Sequence, residues 1–318
     1  MKKWKKVLLS VLAIIFALVV LGSLYFKKPE IAKQPARAVV QTNEISDLWM
    51  PENGRTVFLN RLLFLEGEMK RRLIRELEIE VKRYKSGGLN SVKNDIWLSY
   101  IGKQLKKANL PSDLIYLPVI ESSMRPTIIS GRGAGGYWQF MPVTASLYGL
   151  KVESYLDERF DPVKSTDAAI RHLNDLLNRF DDWTATLGGY NMDPAALTEA
   201  MKQERTINFY NLKTIPLETQ RFPFRLLATK LIFENPEKYG FSKTQTDQEN
   251  KYESWIIHKA LIPIEGTVSI QRVIQDLEKA FPFWKSANFA EENPHILGNA
   301  LPTGLYYFYV YDKRNGTS

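Results

Sequence analysis

The chain contains no cysteine and only three histidines, His172, His258 and His295. The first absence excludes disulfides, a thiol nucleophile and a lipid-modified cysteine, so the chain is not read as a lipoprotein. The histidines lie too far apart, with no ligand spacing, to suggest a metal site. Glycines cluster at Gly131, Gly133, Gly135 and Gly136, but the Gly-Lys-Ser/Thr ending of a P-loop and the spacing of a dinucleotide fingerprint are both missing. No cofactor and no metal are expected.

What is present suits a packed globular protein. At 318 residues and 44% hydrophobic content there is enough chain for one substantial domain plus a small one. The net charge of +8 attracts anionic surfaces such as nucleic acid, lipid headgroups or an acidic polymer. No nucleic-acid-binding motif accompanies the charge, so nucleic acid is not expected as a partner.

Residues 1–28 carry Lys2, Lys3, Lys5 and Lys6, an apolar run from Val7 to Phe26, then Lys27 and Lys28. A run of about 20 apolar residues can span a bilayer, and the leading lysines keep its start cytoplasmic. A cleaved signal is the rival reading; the length of the run and the lack of an A-x-A site near Gly22 and Ser23 favour an uncleaved membrane anchor. Residues 29–54 are polar, proline-containing and aperiodic, and read as a linker. From Val57 to about Lys107 the apolar positions Leu59, Leu62, Leu63, Leu65, Met69, Leu73, Ile74 and Leu77, then Ile96, Leu98, Ile101 and Leu105, predict helices interrupted at Gly87 and Gly88.

The stretch from Leu114 to Leu150 is the most informative. Leu114, Leu117 and Ile120 predict a helix that starts near Pro111, bends at Pro118 and delivers Glu121 at its C-terminal end. The glycine cluster runs into Tyr137, Trp138 and Gln139, side chains that grip sugars by stacking and hydrogen bonding, as one wall of a carbohydrate cleft. Beyond it, Asp161 and Pro162 signal a helix start ahead of Ala168, Ala169, Leu173, Leu176, Leu177 and Phe180. His172 on that helix reads as an ordinary polar residue.

Glu121-Ser122, then Ser130-Gly-Arg-Gly-Ala-Gly-Gly-Tyr-Trp-Gln-Phe-Met-Pro142, Thr144-Ala145 and Tyr148-Gly149-Leu150 together resemble the lytic murein transglycosylases with a goose-lysozyme-like catalytic domain, nearest the membrane-bound type D branch. The resemblance covers roughly Leu59 to Phe241. It implies a mainly α, lysozyme-like (α+β) domain over residues 55–246 and makes Glu121 the catalytic acid, with Tyr190 beside it. Ser122, Ser130, Gly136, Trp138, Gln139, Asn191 and Glu218 become the implied substrate-binding residues. Tyr190 and Asn191 match the family's Ala-Tyr-Asn-Ala-Gly motif, whereas Gly189, Met192 and Asp193 depart from it. Glu218-Thr219 matches a Glu-Thr-Arg segment, with Gln220 for the arginine.

Residues 247–318 change character. Strands are predicted at Tyr252–Ile257 and Leu305–Val310, around a helix near Val268–Ala280. This small α/β lobe is weakly similar to the β-α-α-β LysM modules that bind wall glycans, through Glu265-Gly266-Thr267, Asn293-Pro294 and Leu301-Pro-Thr-Gly304. A lobe that docks on the catalytic domain is the alternative.

Ordinary glycosidases use two carboxyls, about 5 to 5.5 Å apart when retaining and about 6.5 to 9.5 Å when inverting. Only Glu121 occupies a catalytic motif position. The family's solution is substrate assistance: the N-acetyl carbonyl of the muramic sugar assists at the anomeric carbon while the glutamate protonates the departing oxygen, then deprotonates the C6 hydroxyl to close a 1,6-anhydro ring. Such an acid needs a pKa above the ordinary carboxylate range, with Ile120, Met141 and the aromatics as walls and Tyr190 orienting it by a hydrogen bond. The expected function is an anchored peptidoglycan lytic transglycosylase in the cell envelope, its catalytic domain outside the inner membrane. Glycan strands are its substrate and other cell-wall enzymes candidate partners. A lysozyme-type hydrolase using Asp193 or Glu218 to activate water, and a wall-binding protein without turnover, are the alternatives.

Overall fold

The structure, a computed structural model, describes residues 54–86, 89, 92, 95–241 and 255–313. The expected anchor, nearly all of the linker, and Gly87 and Gly88 lie outside the described residues. Among the described residues no helix is long and apolar enough to cross a membrane.

Strands β1 (Arg55–Phe58) and β2 (Arg61–Phe64) form an antiparallel hairpin with Phe58 opposite Arg61. The two loop residues, Leu59 and Asn60, have φ of 51° and 61°, both positive as a type I′ turn requires. Leucine is a poor choice there. It is held by burial of its side chain and by its N–H, which donates to the Asp113 carboxylate at 2.6 Å. The helix expected to include Leu59, Leu62, Leu63 and Leu65 is therefore corrected to a hairpin, and helix begins only at Gly67. Leucines at near-helical spacing carry no information about pairing, and the tie to Asp113, 54 residues away, overrides the period.

Helix α1 (Gly67–Lys85) buries Leu73, Leu77, Val81 and Tyr84, and α2 (Ile96–Lys107) starts where Asp95 accepts from the Trp97 N–H at 2.7 Å. A 3₁₀ turn at Ser112–Tyr116 leads into the short α3 (Leu117–Ser122). Then come α4 (Pro142–Leu147), α5 (Pro162–Phe180), α6 (Trp183–Asn191), α7 (Pro194–Gln203) and α8 (Leu217–Glu234). The expected start of α5 is borne out: Asp161 accepts from the N–H groups of Val163 and Lys164 at 2.9 Å, and Pro162 takes the first position. Helix α8 packs along α1 through two buried glutamates. Glu76 pairs with Arg221 and Glu80 with Arg225, each pair 145 residues apart in sequence. Removing Arg221 would strand the buried Glu76 charge, a loss of about 3 kcal/mol, whereas Glu80 has Arg83 as a second partner.

The C-terminal lobe pairs β3 (Trp255–Ile264) with β6 (Gly304–Lys313) and the short β4 (Val268–Ser269) with β5 (Ala300–Leu301), all antiparallel. Helices α9 (Ile270–Ala280) and α10 (Phe289–Glu292) lie between the strands in sequence. Of the strand predicted at Tyr252–Ile257, residues 252–254 lie outside the described residues; the rest is β3, which runs seven residues past Ile257, and the second predicted strand and the helix are found. The lobe has its own core around Val273, Leu277, Trp284, Phe289 and Phe308, and Leu156 from outside the lobe joins it. In return, Tyr309 sits in the main core and its hydroxyl donates to both oxygens of Asp161, at 2.9 and 3.0 Å. The Asp157 N–H donates to the His295 carbonyl at 2.9 Å, so the lobe is tied to the turn that opens α5.

Candidate active site

Glu121 is the penultimate residue of α3. The single bent helix expected from Pro111 is two pieces, and Pro118 lies in the first turn of the second, where a missing N–H costs no hydrogen bond. The chain leaves α3 through Ser123 and Met124, with φ of 53° and 58°. Two consecutive left-handed residues without glycine end the helix at once and keep Glu121 on its last turn.

The carboxyl of Glu121 is half-buried, and desolvation pushes its pKa up to about 7. Arg225 on α8 opposes the rise and Glu218, in the first turn of α8, adds to it. Arg225 does not bond the acid; its Nη2 donates to the Ile120 carbonyl at 2.7 Å and its Nε to Glu80 at 3.1 Å.

The glycine-rich run folds back on itself. Gly135 and Phe140 exchange N–H···O bonds at 2.9 and 3.1 Å, and the Gly136 N–H donates to the Ile128 carbonyl. Gly136 has φ of 80°, and a Cβ there would lie 1.9 Å from the Arg159 carbonyl oxygen, so no other residue fits. It is buried, packed against the Arg159 backbone, with its N–H spent on Ile128. Gln139 has φ of 49°, and its Nε2 donates to the carbonyls of Ile128 (3.2 Å) and Gly136 (2.8 Å).

Several expected sugar contacts are corrected by burial. Trp138 is 0% exposed, with its Nε1 donating to Thr166 Oγ1 at 3.2 Å, and Tyr137 is 2% exposed; both are core, not a stacking wall. Ser122 is buried and its hydroxyl donates to the Pro118 carbonyl at 2.9 Å. Ser130 Oγ accepts from the Ala134 N–H at 3.0 Å and closes the loop. Among the expected wall residues, Met141 does present surface.

Tyr190, the penultimate residue of α6, lies near the acid: its hydroxyl pKa is raised well above the usual value, first by burial and then by the Glu121 charge. The expected hydrogen bond to Glu121 is replaced by one to the Trp138 carbonyl, at 2.7 Å. Behind it lies His172, with ring centroids 5.3 Å apart. His172 Nδ1 is 3.0 Å from the Tyr148 hydroxyl, which donates to Asp175 at 2.9 Å, and burial pushes the imidazole down to about 4. Asn191 Oδ1 accepts from Thr219 Oγ1 at 2.8 Å, joining the end of α6 to the start of α8 beside the exposed Glu218.

The departures from the family motif have structural reasons. A Cβ on Gly189 would lie 2.5 Å from the Phe180 ring. Met192 packs into a third apolar cluster with Leu197 and Phe209, and Asp193 caps α7 by accepting from Ala195 and Ala196. Gln220 is committed too, accepting from Arg72 and donating to the Ile215 carbonyl. Arg225, Arg159 and His172 do not stand out in the sequence, since their contacts to Ile120 and Glu80, to Gly133 and Phe140, and to Tyr148 respectively join residues 19 or more apart. Elsewhere, a cavity of about 520 Å³ opens between the β1–β2 hairpin and the start of α6, lined by Leu62, Phe180, Trp183 and Tyr210 and by none of the expected site residues.

Residues 99–213 match the model of the transglycosylase SLT domain family. That span holds Glu121, the glycine-rich loop, Tyr190 and Asn191 in the arrangement described. Over those residues the chain is similar to the transglycosylase SLT domain. Membrane-bound lytic murein transglycosylase D of Escherichia coli K12 is 35% identical over 157 residues, 48% of this chain and 34% of that protein. The chain thus aligns with about a third of the length of that relative. Among solved structures, lytic transglycosylase Slt of Pseudomonas aeruginosa aligns at 18% identity with a TM-score of 0.36, over 44% of this chain and 24% of that one. The soluble lytic transglycosylase SLT70 of Escherichia coli aligns at 17% and 0.36, over 46% and 26%. Glu218 and Arg225 lie C-terminal to the matched SLT span.

Proposed function

We propose that this protein is a peptidoglycan lytic transglycosylase, held at the cytoplasmic membrane by residues 1–28 with its SLT domain outside, that cleaves the β-1,4 bond between N-acetylmuramic acid and N-acetylglucosamine. The observation that carries the reading is Glu121, a half-buried carboxyl on the last turn of α3 whose pKa burial pushes up to about 7, toward the range a general acid needs at neutrality. The SLT domain and the wall-lytic name of the relative support the substrate class.

In this mechanism Glu121 protonates the glycosidic oxygen as the bond to the muramyl anomeric carbon breaks, and the sugar's N-acetyl carbonyl stabilises that carbon. The Glu121 carboxylate then takes the proton of the C6 hydroxyl, whose oxygen closes the 1,6-anhydro ring. The proton has returned to Glu121 and no water is consumed. Gln139, its Nε2 engaged by backbone carbonyls, offers Oε1 as an acceptor for an acetamido N–H. Asn191, its Oδ1 engaged by Thr219, offers its amide N–H groups. The C-terminal lobe serves as a buttress, because Tyr309 and the His295 carbonyl are spent on the catalytic domain.

A hydrolytic reading survives through Glu218, whose charge Glu121 feels. Asp193 fits that role poorly, being committed to the cap of α7. Digestion of purified peptidoglycan, with the product ends read by mass spectrometry, tests the proposal. Anhydro ends from the wild type and none from Glu121→Gln are expected; reducing ends would mean hydrolysis. No product from the wild type, or anhydro ends from the variant, would overturn the assignment.

A further inference from the structure

Arg159 is an unusual residue to find 4% exposed, and everything its guanidinium touches belongs to two segments. Its Nε and Nη2 clasp the Asp157 carboxylate at 2.7 to 3.2 Å. Its Nη1 donates to the carbonyls of Gly133 (2.7 Å) and Phe140 (3.2 Å), on either side of the glycine-rich turn. The guanidinium also occupies the space that a Cβ on Gly135 would need, 2.8 Å from Arg159 Cζ, while the Arg159 carbonyl excludes one on Gly136. The two glycines are bare so that this arginine can pass. Its partner Asp157 is fixed in turn by the C-terminal lobe, through the bond from its N–H to the His295 carbonyl and the bridge between Leu156 and Ile296.

We propose that Arg159 is a positioning residue for substrate: by holding both ends of the turn at Gly133 and Phe140, it fixes Gln139 in the left-handed conformation that ties its Nε2 to backbone and leaves its Oε1 for the sugar. The inference rests on the glycan-cleaving reading above. It also gives the lobe a task, since the lobe anchors the aspartate that aims the arginine. A planar fork is required, because three acceptors in two directions exceed what a single ammonium point can bridge.

Arg159→Lys keeps the charge beside Asp157 and loses the fork. Three readouts decide the matter: amide hydrogen exchange across residues 130–140; the affinity of soluble uncrosslinked glycan strands for the Glu121→Gln and Glu121→Gln/Arg159→Lys proteins; and kcat and KM of the single variant. Exchange at Gly135 and Phe140 should quicken at least tenfold while α6 stays protected. Glycan affinity should fall about tenfold, and KM should rise more than kcat falls. Leu197→Ala, which opens the third apolar cluster away from the loop, should lower thermal stability without moving affinity or KM. Unchanged loop exchange, or a loosened loop with unchanged affinity and KM, would overturn the proposal. A wild type that binds glycan without turnover would sink the catalytic reading alone, and the exchange and affinity results would still decide Arg159; a wild type that binds no glycan would sink both.

Discussion

Arg225 donates to the carbonyl of Ile120 at 2.7 Å, one residue short of the acid whose titration it influences. Among the described contacts, no ion pair or hydrogen bond joins it to the Glu121 carboxylate. A guanidinium paired directly with Glu121 would stabilise the ionised form and empty the site of its proton at neutrality. Spending Arg225 on Ile120 and Glu80 keeps a cation near the site to temper the acid's pKa without abolishing the proton.

Replacing Arg225 with Met should therefore raise the pKa of Glu121 further, and the alkaline limb of activity should move to higher pH. The variant should also lose about 3 kcal/mol of stability, because Glu80 is buried and, among the described residues, keeps only Arg83 as an ion-pair partner. A pH–rate profile beside urea unfolding checks both.

Glu218→Gln acts in the opposite sense. Its charge helps hold the proton on Glu121, so its removal should shift the alkaline limb downward, with a loss of about two- to fivefold at pH 7 and little change at pH 5. Were Glu218 the base of a hydrolytic reaction, the loss would be near-total at both pH values.

Glu121 should weaken the fold as pH rises. In the unfolded chain it titrates near 4.5 and in the folded protein near 7. Below 4.5 both states hold the proton and there is no penalty. Between the two values the unfolded chain ionises while the folded one does not, and stability drains away, by up to about 3 kcal/mol above pH 7. Glu121→Gln, which cannot ionise, should match the wild type at pH 4 and exceed it at pH 8 in urea unfolding.

The residues that the sequence pattern brought together, Glu121, Gln139, Tyr190, Asn191 and Glu218, are local in character: each announces itself by type and by its neighbours along the chain. What stayed hidden is how they are held. Leu59 is in a turn because Asp113 accepts from it, and Arg225 matters because a glutamate 145 residues earlier is buried opposite it. Trp138 reads as a sugar platform by type, yet a Thr166 hydroxyl and complete burial make it core. Long-range partnership is the quantity that periodicity does not carry.

The glycine-rich turn gives a sharp contrast. Gly136→Ala combines a φ of 80° with a Cβ 1.9 Å from the Arg159 carbonyl and should cost several kcal/mol or yield insoluble protein. Gly131→Ala meets nothing within 4 Å and should be neutral to within about 0.5 kcal/mol. Thermal unfolding of the two variants, prepared side by side, checks this.

Whether Glu121 keeps its proton near neutrality is read directly by carbon-13 NMR of glutamate-labelled protein, with Glu121→Gln supplying the assignment. A resonance that titrates near pH 7 and vanishes in the variant is expected. A Glu121 signal that titrates in the ordinary range, near 4.5, would overturn the assignment of Glu121 as the proton donor.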